Sequence, residues 1–268
     1  MATLTVNDTD LHVERRGAGE PLLLIQGMTG HSLHWGEAFL SALERDFELV
    51  LYDHRGVGRS SPYGAPFTIA DLAADAAGLL DALEIERAHV LGISMGGMVA
   101  QELAIAEPER VLTLTLGATY CGGPGARFTD GTVVQALASA ILSGDVERKI
   151  RTGWEFNVSP PFATGEGNFE RFTEVAAKYP VPLPMILAQV QAISGHDTSA
   201  RLGEIAAPTL VVHGTADQML AAANGKLVAG LIPGARLELL DGVGHLFFWE
   251  QPERAAQLVA EHVAAARM

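Results

Sequence analysis

Cysteine is almost absent from this sequence, which limits what holds the fold together. Cys121 is its single cysteine, so an intrachain disulfide is excluded. A chain without disulfides suits a reducing compartment, and we expect a cytoplasmic protein. The first ten residues also lack the basic and apolar segments of a secretory signal, which agrees with that expectation.

Basic residues and long apolar runs are scarce as well. The chain has 18 lysines and arginines against 32 aspartates and glutamates, a net charge of −14. Phosphate recognition needs clusters of basic side chains, so we expect neither nucleic acid nor a membrane as a partner. No uninterrupted apolar run reaches the roughly 18 residues of a transmembrane helix. The 268 residues, 48% of them hydrophobic, are enough to bury a large core.

Short apolar runs alternate with helical patterns along most of the chain. Residues 3–7 and 10–16 alternate polar and apolar side chains, which predicts a β-hairpin. Continuous apolar runs at 22–25 and 47–52 are typical of parallel strands buried on both faces. Further strands are predicted at 89–93, 109–116, 208–213 and 235–240, and helices at 36–45, 69–83, 95–104, 132–152, 168–178, 219–230 and 252–266. This order predicts an α/β fold with a mostly parallel, doubly wound sheet.

The alternation stops between residues 122 and 202, where glycines, prolines and aromatic residues cluster. We therefore predict an α/β core made of 1–121 and 203–268, with 122–202 inserted as a helical cap. Ligands of open α/β sheets bind at the carboxyl ends of the strands, where such a cap would lie. Its aromatic residues would form an apolar roof, and Trp154 and Phe156 are predicted to contact the substrate.

The strand at 89–93 runs into Ser94, which has Gly92 two residues before it and Gly96 two residues after it. Apolar residues at helical spacing follow, so the pattern is strand, sharp turn, helix. Glycines at these positions let the strand and the helix approach closely. The turn holds the serine hydroxyl above the sheet, beside the N–H of Met95 at the helix start. This pattern predicts a nucleophilic serine.

A serine nucleophile needs a base within hydrogen-bond reach and a third group that orients the base. His245 follows the final strand in a glycine-flanked loop, and Asp217 follows the strand before it. The order Ser, Asp, His is typical of this architecture. Asp53 and Asp241 are the competing carboxylates. We expect Asp53 to stabilise a loop with its arginine neighbours and Asp241 to shape the His245 loop.

Two backbone N–H groups must also converge on the oxyanion that forms during acyl transfer. Met95 supplies one of them, and the turn after Ile25 supplies the other, for which we predict Met28. Two alternative sites are rejected. Gly56 and Gly58 begin a dinucleotide-loop pattern that no helix continues. His31 and His34 lack further ligands at a usable spacing for a metal. We expect no cofactor and no metal.

These motifs together resemble the α/β-hydrolase fold over nearly the whole chain. The matching segments are Gly92-x-Ser94-x-Gly96, Tyr52-Asp53-x-Arg55-Gly56-x-Gly58-x-Ser60, His213-Gly214-x-x-Asp217, and Gly244-His245 followed by Glu250-x-Pro252-Glu253. Within that family the chain is most similar to 3-oxoadipate enol-lactonases and polyketide-tailoring methyl esterases. It departs at Gln26, where the family usually has histidine. Because the oxyanion donors are backbone groups, the hole should survive, and Gln26 would contact substrate or fix the loop.

The sequence therefore predicts a serine hydrolase for an ester or lactone of a small to medium, largely apolar molecule. Ser94 attacks, His245 moves the proton, and Asp217 orients the imidazole. Cofactor-free haloperoxidases (perhydrolases) and carbon–carbon bond hydrolases share this triad and stay open as alternatives. So does a ligand receptor with an idle triad. Dehalogenases and epoxide hydrolases of this fold use an aspartate nucleophile, which Ser94 argues against.

Overall fold

A computed structural model describes residues 2–267 and contains an eight-stranded sheet at its centre. The strands are β1 (Ala2–Val6), β2 (Thr9–Gly17), β3 (Glu20–Ile25), β4 (Phe47–Tyr52), β5 (Ala88–Ile93), β6 (Val111–Gly117), β7 (Thr209–Gly214) and β8 (Arg236–Leu240). Their spatial order is β1-β2-β4-β3-β5-β6-β7-β8. Strand β2 pairs antiparallel with β1 and β4, and every other pairing is parallel. The predicted fold class is confirmed.

Helices cover both faces of the sheet and also fill the segment between β6 and β7. They are α1 (Glu37–Leu43), α2 (Ile69–Ala82), α3 (Met95–Ala106), α4 (Gly131–Leu142), α5 (Val146–Asn157), α6 (Pro160–Ala163), α7 (Asn168–Ala176), α8 (Leu183–Ser194), α9 (Ala223–Leu231), α10 (Phe247–Glu250) and α11 (Pro252–Ala266). Among residues 2–267, no helix has both the length and the apolar character needed to cross a bilayer.

Side chains alternate between two hydrophobic cores along the central strands, as the two-residue period of a strand requires. Leu23 and Ile25 of β3 belong to the core that α2 and α3 cover, whereas Leu22 and Leu24 belong to the core that α1 and α11 cover. All four side chains are at most 1% exposed. Burial on both faces explains why these strands read as continuous apolar runs.

The segment between β6 and β7 is entirely helical in its regular structure, with α4 to α8 in succession. The helix expected over 132–152 is divided in two, because Gly144 has a φ of 71° and the Asp145 side chain caps the next helix by accepting from the Arg148 N–H. Helix α8 was not predicted. Its prolines suggested a loop, but Pro184 lies in the first turn, where a missing N–H costs nothing. The boundaries of a separate cap stay a prediction.

Candidate active site

Ser94 occupies a sharp turn between β5 and α3, with φ 55° and ψ −121°. A serine at positive φ is strained by about 1–3 kcal/mol, so the surrounding structure must hold it there. The Ser94 N–H donates to the Gly117 carbonyl at 2.9 Å, and the Ser94 carbonyl accepts the Thr119 hydroxyl at 2.7 Å. The Gly97 N–H donates to the same carbonyl at 2.9 Å. The strained turn is thus fixed from both sides.

The two glycines that flank the turn are required by close backbone contacts. A Cβ on Gly92 would lie 2.2 Å from the Gly96 carbonyl oxygen, and a Cβ on Gly96 would lie 2.0 Å from the Ile25 carbonyl oxygen. Neither obstacle is a side chain that could move away. The backbones of strand β3, strand β5 and helix α3 therefore lie so close together that only glycine fits at these two positions. This packing brings the end of β3 beside Ser94.

Asp217 and His245 lie together at the ends of β7 and β8, as predicted. The Asp217 Oδ2 atom is 2.7 Å from His245 Nδ1, and both side chains are at most 4% exposed. The other carboxylate oxygen accepts the N–H groups of Met219 at 2.8 Å and Leu220 at 2.9 Å. Because the carboxylate accepts a hydrogen bond from the Nδ1–H group, the nitrogen left without a proton is Nε2, the atom that a general base uses.

His213 adds a further contact to the same carboxylate. Its Nε2 atom is 3.1 Å from Asp217 Oδ2 and 2.8 Å from the Leu220 carbonyl oxygen. Burial by itself raises the pKa of Asp217, but the positive charge of His245 and the hydrogen bonds from His213 and His245 outweigh it and bring the pKa to about 2. The carboxylate therefore stays charged and able to stabilise an imidazolium.

The turn after β3 lies against Ser94. A Cβ built on Gly27 would be 3.7 Å from the Ser94 hydroxyl oxygen. In this turn the Gly27 N–H donates to the Gln26 Oε1 atom at 2.8 Å, and the Gly30 N–H donates to the Gly27 carbonyl at 3.1 Å. Gln26, which replaces the family's usual histidine, thus fixes its own loop through its side-chain oxygen.

The N–H groups of the two predicted oxyanion donors lack a protein acceptor. The Thr29 N–H donates to the Gln189 Oε1 atom of α8 at 2.9 Å. Within residues 2–267, by contrast, the N–H groups of Met28 and Met95 have no acceptor at hydrogen-bond distance. Met95 follows Ser94 in the chain, and Met28 lies in the β3 turn whose Gly27 packs against Ser94. Their assignment as the oxyanion hole stays a prediction that this arrangement supports.

The loop between cap helices α5 and α6 is bonded to the His245 loop. One oxygen of the Glu250 carboxylate accepts the N–H groups of Gly244 and Ser159, each at 2.8 Å, and the other accepts the Ser159 hydroxyl at 2.5 Å. The Leu246 N–H donates to the Asn157 carbonyl at 2.8 Å. Three of these hydrogen bonds therefore join the end of α5 to the segment that carries the imidazole, and the fourth, from Gly244 to Glu250, lies within that segment. We name this group of contacts the histidine-loop clasp.

The competing carboxylates have structural partners. Asp53 is fully buried and accepts the N–H groups of Ser32 at 2.6 Å and Arg59 at 2.9 Å, so it stabilises its loop as expected. Arg55, also expected to pair with Asp53, instead forms two 2.6 Å hydrogen bonds with a different carboxylate, that of Asp75 in α2. The expectation for Arg55 is wrong, because α2 presents Asp75, buried to 1% exposure, directly to the guanidinium.

The histidine pair that suggested a metal has another arrangement. His34 Nδ1 accepts the His31 backbone N–H at 3.1 Å, and the two ring centroids are 4.0 Å apart. Burial lowers the pKa of His31 to about 4 and that of His34 to about 3, so both rings are neutral near pH 7. In the part of the chain that the structure describes, no three His, Cys, Asp or Glu side chains are grouped as metal ligands.

The two aromatic residues selected as substrate contacts differ in position. Trp154 is 1% exposed, and its indole N–H donates to the Ala163 carbonyl at 3.2 Å. Its ring packs against Phe172 and Trp249, with centroids 4.9 and 6.3 Å away. In this conformation Trp154 is a core residue of the cap. Phe156 is half-buried, and its contact with the substrate stays a prediction.

Sequence reasoning missed Gln189, His213 and Glu250 as parts of the site. Gln189 lies on the unpredicted helix α8, and its contact with the β3 turn is 160 residues away in sequence. His213 appeared only within the motif that ends at Asp217, although its four-residue spacing to Asp217 was a signal for a contact at the end of β7. Glu250 appeared only as part of a motif, with no bonding partner assigned.

Comparison with known proteins identifies the family to which this fold belongs. The α/β-hydrolase-fold family model matches residues 20–252. The putative carbamate hydrolase RutD of Azorhizobium caulinodans is 32% identical, with 92% of each chain covered, and the rhodomycin D methylesterase DauP of a Streptomyces species is 27% identical, with 99% of each covered. The enol-lactonase structure from Burkholderia xenovorans has a TM-score of 0.86 at 25% identity and covers 98% of this chain and 100% of that one.

The chain therefore belongs to the α/β-hydrolase family. Its predicted resemblance to the esterase and lactonase members is confirmed, since a methylesterase and an enol-lactonase are among the similar proteins. It is an enzyme of this fold, and the relatives support a hydrolytic role.

Proposed function

We propose that this enzyme is a serine hydrolase that cleaves a carboxylic ester or lactone of a small to medium, largely apolar molecule. Ser94 is the nucleophile, His245 the general base and acid, and Asp217 the residue that orients the imidazole. The observation that carries the proposal is the 2.7 Å contact between Asp217 Oδ2 and His245 Nδ1 at the strand ends beside the strained Ser94 turn.

In the acylation step, the Ser94 oxygen attacks the substrate carbonyl carbon while His245 Nε2 takes the hydroxyl proton. The carbonyl oxygen becomes an oxyanion that accepts hydrogen bonds from the N–H groups of Met28 and Met95. When the tetrahedral intermediate collapses, the carbon–oxygen bond to the leaving alcohol breaks, and the imidazolium returns its proton to that alcohol. The acyl group stays attached to Ser94.

In the deacylation step, a water molecule gives a proton to His245 Nε2 and attacks the acyl carbon. Collapse of the second intermediate breaks the bond to Ser94, which recovers its proton and releases the carboxylic acid. Asp217 stabilises the imidazolium in both steps, which its low pKa of about 2 favours. None of these roles requires a side chain outside the described site.

The similar proteins support the substrate class. Their names include a methylesterase, an enol-lactonase and a putative carbamate hydrolase, all of which act at an acyl carbon bonded to oxygen. The backbone N–H groups at Met28 and Met95 suit a carbonyl oxygen that becomes charged. We also propose that Phe156, half-buried on α5, contacts an apolar part of the substrate.

Labelling with a fluorophosphonate, followed by intact-mass measurement, tests the nucleophile. Wild-type protein should gain one adduct at Ser94 and show a burst of p-nitrophenol with p-nitrophenyl butanoate. Ser94→Ala should gain no adduct and lose turnover by about 10³-fold or more, while its thermal unfolding stays unchanged. Wild-type turnover in Ser94→Ala would refute the proposal. Binding without turnover in the wild-type protein would favour a receptor role.

A further inference from the structure

His213 lies one residue before the end of β7, and its side chain is fully buried. Its Nε2 atom faces two acceptors, the Asp217 Oδ2 atom at 3.1 Å and the Leu220 carbonyl oxygen at 2.8 Å. The Asp217 carboxylate, with a pKa of about 2, is ionised and can only accept, as can a carbonyl oxygen. These two acceptors therefore select the tautomer of His213 that carries its proton on Nε2.

The other ring nitrogen of His213 is closed off by helix α9. Nδ1 is buried and has no hydrogen-bond partner among residues 2–267. Gly225 of α9 lies against it, since a Cβ built on that glycine would be 2.8 Å from Nδ1. A proton on Nδ1 would be a buried donor without an acceptor, which is unfavourable. The surroundings of His213 therefore fit a neutral ring that donates one hydrogen from Nε2.

The bond from His213 gives each oxygen of the Asp217 carboxylate two donors. Oδ1 accepts the N–H groups of Met219 at 2.8 Å and Leu220 at 2.9 Å, and Oδ2 lies 2.7 Å from His245 Nδ1 and 3.1 Å from His213 Nε2. A rotation of the carboxylate about its last side-chain bond would weaken all four contacts together. His213 therefore helps to keep Oδ2 in line with Nδ1 of the catalytic imidazole.

Sharing of Oδ2 between two rings also has an electrostatic consequence. A hydrogen bond to a carboxylate stabilises its negative charge and leaves less of it to stabilise a second donor. The His245 imidazolium therefore gains less from Asp217 than it would from an oxygen that it did not share. Because His245 must be unprotonated to accept the Ser94 proton, a weaker hold on the imidazolium keeps the base available at lower pH.

We infer, on the basis of the serine-hydrolase function proposed above, that His213 is a positioning residue that holds Asp217 in line with His245 and extends activity to lower pH. It acts through Asp217 and takes no part in the proton transfers. In the part of the chain that the structure describes, His213 and His245 are the titratable side chains that bond this carboxylate, so Asp217 is the link between them.

Two variants of equal side-chain length test this inference. His213→Gln keeps an N–H donor near the position of Nε2, whereas His213→Met has a similar shape without the donor. Hydrolysis of p-nitrophenyl butanoate is measured from pH 4.5 to 9, and each kcat is divided by the fraction of enzyme that forms the fluorophosphonate adduct. This division removes the effect of molecules that have lost the folded site.

His213→Met should lose about 10-fold in kcat with little change in KM, as expected for one hydrogen bond to a charged group. The acid limb of its kcat/KM profile should move to higher pH by about one unit, because Oδ2 is then left to the imidazolium alone. His213→Gln should stay within about three-fold of the wild-type kcat and keep the acid limb, since its donor replaces the lost one.

His262→Met is the matched control. His262 is 6% exposed, and its Nε2 atom is 3.1 Å from the carbonyl oxygen of Pro208, just before the opposite end of β7. This variant also removes a buried ring bonded to a carbonyl oxygen, but far from the Asp217 carboxylate along the strand. It should lower the unfolding temperature, as His213→Met does, and keep the wild-type kcat and acid limb.

The outcomes separate this inference from the function on which it rests. A His213→Met enzyme with the wild-type kcat per labelled site and an unmoved acid limb would overturn the inference and leave the hydrolase proposal standing. Equal losses in the glutamine and methionine variants would do the same, because the donor would then not matter. If wild-type enzyme neither forms the adduct nor turns over the ester, the hydrolase proposal fails, and the inference fails with it.

A measurement on the wild-type enzyme decides the question even if neither variant folds. Long-range proton–nitrogen spectra of the imidazole rings, with His213 assigned through its contacts to Gly225, should show the Nε2–H tautomer from pH 5 to 9. An Nδ1–H tautomer anywhere in that range would mean that His213 does not donate to Asp217, and it would overturn the inference.

Discussion

Replacement of Asp217 by asparagine should disable the base while leaving the fold intact. One carboxylate oxygen accepts the backbone N–H groups of Met219 and Leu220, and the other faces His245 Nδ1. The single oxygen of asparagine will stay with the two backbone donors, so its NH₂ group turns toward the imidazole. Nδ1 must then accept a hydrogen bond, which moves the imidazole proton to Nε2, the atom that should receive the proton of Ser94.

The expected loss in kcat is about 10³- to 10⁴-fold, which corresponds to about 4–5.5 kcal/mol in the activation free energy. KM should change little, because Asp217 is fully buried and does not contact the substrate directly. The assay is steady-state hydrolysis of p-nitrophenyl butanoate between pH 5 and 9, with thermal unfolding measured on the same samples.

Asp241→Asn is the matched control. Asp241 is exposed, lies four residues from His245, and accepts the Thr215 hydroxyl at 3.1 Å. It should keep kcat within about two-fold of wild type, since surface substitutions of this kind are mild. A kcat for folded Asp217→Asn within ten-fold of wild type would refute the assignment of Asp217. Loss of activity in Asp241→Asn would indicate that Asp241, and not Asp217, orients the imidazole of His245.

Three further outcomes follow from the packing and the charges. Gly96→Ala should lower the free energy of unfolding by about 3 kcal/mol in urea titrations, because its Cβ would lie 2.0 Å from a backbone oxygen of β3. The control is Gly153→Ala, which should be neutral or stabilising because no atom lies within 4 Å of the position that its Cβ would take. Arg55→Met should cost about 3–5 kcal/mol by leaving buried Asp75 unpaired, and a double variant that also replaces Asp75 by leucine should recover most of it. The pKa of Asp217 falls from 3.8 to about 2 on folding. Its ionised carboxylate therefore adds about 2 kcal/mol to the free energy of unfolding above pH 4, and this contribution disappears as the pH falls through 2. In urea titrations from pH 5 to 2, the free energy of unfolding should decline less in Asp217→Asn than in wild type.

The sheet was predictable because its central strands are buried on both faces. Leu22 to Ile25 form a continuous apolar run for that reason, and the turn residues that follow each run mark the carboxyl edge where the site lies. Ser94, Asp217 and His245 could be selected because each follows a different strand at that edge. The local residue pattern and the order of these residues along the chain were enough to select them.

The contacts that cross between the core and the cap were not predictable in the same way. Gln189 reaches the Thr29 N–H only because α8 folds over the β3 turn, and the prolines around 180–184 concealed that helix. The partner of Arg55 was misassigned because Asp53 is near in sequence, whereas Asp75 is near in space. Trp154 is aromatic and lies in the cap, but only its packing shows that it faces the interior of the cap.

The histidine-loop clasp ties the position of the α5–α6 corner to that of the His245 loop. Glu250 binds Ser159 of that corner and Gly244 of the His245 loop with the same carboxylate. A displacement of the α5–α6 corner must therefore either break these hydrogen bonds or move the loop that carries the imidazole.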